Sequence, residues 1–168
     1  MDLGLPLPPT QGRRRLAFVL ARKHVARAAP PPPLRWVSAA LPAAWKHPLE
    51  ILDRDARALG ARLRVFGSAA WQALTGLDYL HEGSDVDVLF RPASRAQLDA
   101  TLASFDAWEV RSGRRVDGEI VFAGERAVAW REWRHASGAD DRVLVKSIDG
   151  AALAGRASLL AALEPIAA

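Results

Sequence analysis

The sequence predicts an α+β fold: a mixed sheet with helices packed mainly on one face, preceded by a proline-rich N-terminal segment. Three observations predict it. Helix-period and strand-period stretches alternate between Leu49 and Phe105, and strand patterns dominate from there to Lys146. The run Pro30-Pro31-Pro32-Pro33 has fixed φ and no N–H donors, so it belongs in neither a helix nor a central strand. At 168 residues the chain fits one domain. The expected organisation is an N-terminal segment over residues 1–47 and a folded domain over residues 48–168.

Each element has its own warrant. Arg15 to Ala26 begins with the apolar run Leu16-Ala17-Phe18-Val19-Leu20, too short for periodicity to separate strand from helix. The proline run reads as a stiff extended connector. Leu49, Leu52, Ala56 and Leu59 recur at helical spacing, and Gly60 is a stop. Leu63 and Val65 alternate with arginine, as in a strand over Arg62 to Phe66. Gly67-Ser68 ends that strand, and a short helix over Ala69 to Leu77 follows with Ser68 near its N-cap. Val86 to Phe90 reads as a strand stopped by Arg91-Pro92. Ser94 to Phe105 reads as a helix capped by Ser94, with Leu98, Leu102 and Phe105 on one face. Trp108 to Arg111, Gly118 to Phe122, Ala127 to Trp133 and Arg142 to Lys146 are strand candidates, with turns at Gly113 and Gly124. A helix from Ala151 to Leu163, interrupted by Gly155, closes the chain.

Composition narrows the function classes. The formal charge is +4, and the positive charge is mostly arginine, since lysine occurs only at Lys23, Lys46 and Lys146. Guanidinium binds phosphate and carboxylate bidentately, so the balance favours an anionic partner, although a solvated surface accounts equally well for most of these residues. The absence of cysteine excludes disulfides, Cys-ligated zinc and thiol nucleophiles. No apolar run is long enough to span a membrane and no secretory signal pattern opens the chain, so the expected location is the cytoplasm.

The residues that carry chemistry lie in the middle. Residues two apart in a strand point to the same face, so Asp85 and Asp87 present two carboxylates side by side. Like charges that close repel unless protons or cations intervene, and carboxylate oxygens suit magnesium. Two such ions can stabilise the attacking and leaving oxygens of nucleotidyl transfer. Gly67-Ser68, between a strand and a helix, lets the backbone approach a phosphate closely and adds a hydroxyl donor. Either feature alone is common in strand ends and turns. The ordered conjunction of apolar strand, Gly-Ser, helix and Ser-Asp-x-Asp opening a second apolar strand is specific.

That conjunction resembles the polymerase-β-like nucleotidyltransferase superfamily. The interval from Ser68 to Asp85 is slightly longer than usual there, with the extra residues around Gly76 to Gly83, which points to a subfamily. A closer resemblance, over nearly the whole chain, is to the malonate decarboxylase holo-acyl-carrier-protein synthases, the phosphoribosyl-dephospho-CoA transferases. It rests on Leu3 to Pro9, Gly12-Arg13-Arg14-Arg15, Gly67 to Leu77 and Ser84 to Leu89. Asp117-Gly118-Glu119, Ala129 to Trp133 and Val143 to Lys146 add to it. Family members are usually longer at the N-terminus, so residues 1–47 are expected to be the remnant of a truncated N-terminal lobe, and residues 48–168 the nucleotidyltransferase domain. The resemblance implies transfer of the prosthetic group from triphosphoribosyl-dephospho-CoA to a serine of an acyl carrier protein, with release of diphosphate. Carrier proteins are typically acidic, which suits the net positive charge.

The implied roles are as follows. Asp85 and Asp87 bind magnesium, two ions being expected. Asp117 or Glu119 supplies a third carboxylate that activates the nucleophile, Asp117 being preferred. Gly67 and Ser68 contact phosphates, and Ser84 and Lys146 are further phosphate candidates. Ser84 as a turn residue and Lys146 as an exposed strand end are equally good readings. Arg114, Arg115 and Arg131 are phosphate or carrier contacts without preference among them, and Arg13-Arg14-Arg15 is a solvated turn or an anion contact. Trp71, Trp130 and Trp133 either stack on adenine or, as tryptophans more often do, fill the core. His24, His47, His81 and His135 show no metal spacing.

Two other functions compete. A minimal nucleotidyltransferase modifying RNA, an antibiotic or another protein shares the metal site but not the carrier. A basic nucleic-acid-binding module needs no catalysis, but the chain lacks the aromatic-basic interleaving of single-strand binders, which makes nucleic acid the weaker expectation.

Overall fold

A computed structural model describes residues 1–12, 14–138 and 140–163. The chain opens with an antiparallel hairpin of β1 (Asp2–Pro6) and β2 (Arg15–Val19), joined in register from Asp2↔Val19 to Pro6↔Arg15. The apolar run after Arg15 is therefore a strand, followed by a single 3₁₀ turn at Arg22–His24.

The proline run lies along a sheet edge, where a missing N–H is tolerated. Pro33 bridges Arg64, Val65 N donates to Pro32 O (2.9 Å), and the Arg64 guanidinium donates to Pro31 O (2.6 Å). Two helices follow, α1 (Leu34–Ala40) and α2 (Ala43–Ala58), each entered from a proline in extended conformation. α1 has no counterpart among the expected elements, and α2 begins six residues before Leu49, where the helical spacing becomes regular. Position 47/48, where the N-terminal segment was expected to end, falls inside α2. Proline there leaves the Ala44 carbonyl without its helical donor. The Arg114 side chain supplies one, at 3.1 Å, while its guanidinium lies 3.8 Å from the centre of the Trp45 ring. On the other side, Trp108 Nε1 donates to Pro48 O at 2.7 Å.

Next come β3 (Arg64–Val65), α3 (Gly67–Thr75), β4 (Val86–Phe90) and α4 (Arg95–Ser112). Ser94 caps α4, its side chain accepting from Gln97 N (3.2 Å), and Gly113 ends it in the left-handed region. The strand expected at Trp108 to Arg111 is instead the last turn of α4, where Phe105 and Trp108 sit three apart on the buried face. β5 (Val116–Phe122) and β6 (Arg126–Ala129) follow, then α5 (Trp130–His135), β7 (Arg142–Ser147), β8 (Gly150–Gly155) and α6 (Arg156–Ala161). Two expectations are corrected here. The strand over Ala127 to Trp133 turns helical at Trp130, and the first half of the expected closing helix is β8, paired with β7 throughout.

The six-stranded sheet runs β3-β4-β5-β6-β7-β8. It is mixed: β4 and β5 are parallel, with α4 as their crossover, and the other pairs are antiparallel. Val86, Val88 and Phe90 of β4 are buried. On that face Phe90 meets Phe105 of α4 edge-on, and Phe105 meets Trp130 of α5 in the same way. Alternation sends Asp87 and Leu89 to the opposite face, where Asp117 and Glu119 of β5 also project.

Candidate active site

The site is built where β3 hands over to α3. Gly67 has φ +62, and a Cβ there would lie 1.8 Å from Asp87 Oδ2. Only glycine fits, for its backbone conformation and for the carboxylate resting against it. Phe66 N donates to Asp87 O (3.0 Å), which ties the same two segments together. α3 begins at Gly67, two residues earlier than expected, so Ser68 stands near the N-cap without being it. Phe66 holds that position, and Ser68 lies within the first turn of α3.

Asp87 and Asp117 face each other in the parallel β4–β5 register. Gly118, directly after Asp117, has φ +134, and a Cβ on it would strike Val88 O at 1.9 Å. This second obligatory glycine draws β5 against β4 and brings Asp117 beside Asp87. One Asp117 oxygen accepts from Gly118 N at 2.8 Å. Asp85 stands just before β4, with Arg115 Nε 3.8 Å from its Oδ1.

Asp87 is half-buried, and among the described residues its side chain has no hydrogen-bond or ion-pair partner. Burial, then Asp117, then Asp85 push its pKa from 3.8 up to about 6. Among the described residues no three Asp, Glu or His side chains stand close enough to form a ready-made metal cage. Magnesium rarely uses one. It is held by one or two carboxylates plus substrate phosphates, which is the donor set that Asp85 and Asp87 offer.

Glu119 is engaged elsewhere. Lys146 Nζ donates to it at 2.8 Å, and that hydrogen bond, with the charges of Glu119, Asp117 and Glu132, raises the Lys146 pKa. Lys146 therefore stands on the acidic face but is already paired. Ser84 closes its own turn: its hydroxyl accepts from His81 N (3.0 Å), and its N–H donates to His81 O (2.9 Å). Arg131 reaches Glu109 (2.5 Å) and Val116 O (2.8 Å), and Arg114 serves α2, so both are committed to the fold. Trp130 and Trp133 are buried in the core. Trp71 instead lines a mainly apolar groove of about 660 Å³ beside Gly67, whose walls include Trp36, Phe66, Leu74, the proline run and Arg35.

Gln72 and Tyr79 also shape the site, although neither is among the residues expected there. Gln72 is buried, and its Oε1 accepts from Tyr79 N (3.0 Å) and Leu80 N (2.8 Å), pinning the loop that leads to Asp85. The available signal was a lone amide on the apolar face of a short helix.

Residues 33–157 match the family described as "Phosphoribosyl-dephospho-CoA transferase MdcG C-terminal domain". A phosphoribosyl-dephospho-CoA transferase of Xanthomonas campestris pv. campestris is 41% identical over 157 residues, covering 94% of this chain and 72% of that protein. One of Bradyrhizobium diazoefficiens is 43% identical over 154 residues, covering 92% and 67%. No solved structure matches the chain.

Proposed function

The chain belongs to the phosphoribosyl-dephospho-CoA transferase family, and from that premise we propose that it moves this prosthetic group from triphosphoribosyl-dephospho-CoA to a serine hydroxyl of the acyl carrier protein of malonate decarboxylase. Diphosphate leaves, the reaction needs magnesium, and it takes place in the cytoplasm. The observation that carries the reading is the packing of Gly67 against the Asp87 carboxylate, with Asp117 in register beside it. A strand, a Gly-Ser turn into a helix and a carboxylate-bearing strand in this arrangement support a nucleotidyltransferase of the polymerase-β-like kind.

In the proposed mechanism the donor's phosphates lie along Gly67 and Ser68, beside the Asp87 carboxylate that rests against Gly67. The carrier serine oxygen forms a bond to the α-phosphorus in line with the departing oxygen. The bond from the α-phosphorus to the bridging oxygen breaks, and diphosphate takes the electron pair. Asp117 takes the serine proton. Asp85 and Asp87 would hold the magnesium, which when bound supplies positive charge against the phosphate oxygens. The apolar groove with Trp36 and Trp71 provides a wall for the donor's uncharged part.

The test is incubation with apo carrier protein, triphosphoribosyl-dephospho-CoA and magnesium chloride. The expected result is a mass gain equal to the prosthetic group on the carrier serine, lost when EDTA replaces magnesium. An unmodified carrier, with the donor intact, would refute the reading.

A further inference from the structure

The long interval between Ser68 and Asp85 has a definite structural use. Its residue Tyr79 is buried, its backbone is held by Gln72, and its ring stacks on Trp71 at 6.2 Å. The Tyr79 hydroxyl donates to Pro6 O at 3.0 Å, which fastens the β1–β2 hairpin to the loop. Leu7 N donates to Arg14 O at 2.8 Å and closes the hairpin. A cavity of about 290 Å³ results, with Arg14, Arg15, Ser68, Tyr79 and His81 in its walls. Ser68 is the neighbour of Gly67, which touches Asp87. Thus residues more than fifty positions apart in sequence meet one residue away from the carboxylates. Among the described residues, neither Arg14 nor Arg15 has an ion-pair partner. Arg14, Arg15, His81 and Ser68 line one cavity, and no acidic residue is part of its lining. Arg13 lies outside the described residues.

We infer that this cavity is a polyphosphate subsite, in which Arg14 and Arg15 grip the terminal phosphates of the donor, with Ser68 and His81 as further donors. It rests on the proposed reading for the identity of that donor. Charge favours a linear polyphosphate over a carboxylate ligand, because its several phosphoryl oxygens can meet separate donors. The hairpin thereby supplies cations beside a cluster of carboxylates that would otherwise repel the donor's tail.

The probe is inorganic tripolyphosphate, titrated calorimetrically into the full chain in magnesium chloride. The wild-type protein is expected to bind it. Arg14→Ala and Arg15→Ala are each expected to weaken binding about tenfold or more, the loss of a charge-assisted contact, and the lysine variants to recover part of it. Arg62→Ala, which removes the same charge from the wall of a different cavity, is expected to change nothing. Wild-type affinity in the alanine variants, equal losses in Arg62→Ala, or no binding by the wild-type chain would each overturn the inference. Carrier modification is measured in parallel. Binding that follows this pattern without carrier modification would sink the acceptor assignment and leave the subsite standing, whereas modification without the pattern would do the reverse.

Discussion

Replacing Asp87 with Asn should make the metal-free protein more stable while abolishing transfer. Asp87 is half-buried beside Asp117 and Asp85, and its pKa stands at about 6 instead of 3.8. That rise corresponds to roughly 3 kcal/mol, at about 1.4 kcal/mol per tenfold change in proton affinity. The carboxylate keeps partial contact with water, whose screening leaves roughly half of it, about 1.5 kcal/mol. The sign follows from the direction of the rise. The folded protein holds this proton more tightly than the unfolded chain, so the associated stability is present below pH 3.8 and is lost as pH rises through about 6. Asparagine removes the charge and escapes that loss. In urea unfolding with EDTA, the variant is expected to exceed the wild type by about 1–2 kcal/mol at pH 8. The gap should narrow as pH falls from 6 toward 4, and added magnesium should favour the wild type. A variant less stable than the wild type at pH 8, or a gap independent of pH, would refute the reasoning.

Two further outcomes follow. Asp117→Asn should lower the rate of carrier modification about 10²- to 10⁴-fold, the usual contribution of a positioned base. Glu119→Gln should change it far less, because Glu119 is the partner of Lys146. Comparable losses in the two variants would move the base from Asp117. Arg114→Ala leaves the Ala44 carbonyl without its donor and uncovers the Trp45 ring, so it should cost about 1–3 kcal/mol of stability in chemical denaturation. An unchanged midpoint would show that water caps Ala44 equally well.

What could be read from sequence was what depends on near neighbours. Gly67, Asp85 and Asp87 stand out because a strand's two-residue alternation and a glycine between apolar runs are local signals. The same alternation puts Asp117 and Glu119 on one face without separating them, and the nearness of Asp117 to Asp87 is decided by the parallel register and by Gly118. The misreadings have physical causes. Val110 alternates with charged residues and suggested a strand, yet Phe105 and Trp108 bury one face of a helix. The alanine-rich stretch after Gly150 favours helix intrinsically, but pairing with β7 overrides that preference. That α2 runs through Pro48 is not a local signal, because the donor for the Ala44 carbonyl is Arg114, seventy residues away. That Arg14 and Arg15 share a cavity lining with Ser68 and His81 depends on Tyr79 reaching Pro6, a contact far along the chain.

The contact between Gly67 and Asp87 works as a lock that neither side can loosen. Glycine is already the smallest residue, so no replacement at position 67 makes room for a bulkier partner. Asp87→Glu, one methylene longer, has no compensating change available there, so its carboxylate would have to leave the contact with Gly67. Position 67 is therefore confined to glycine by space alone, before any requirement of chemistry is counted.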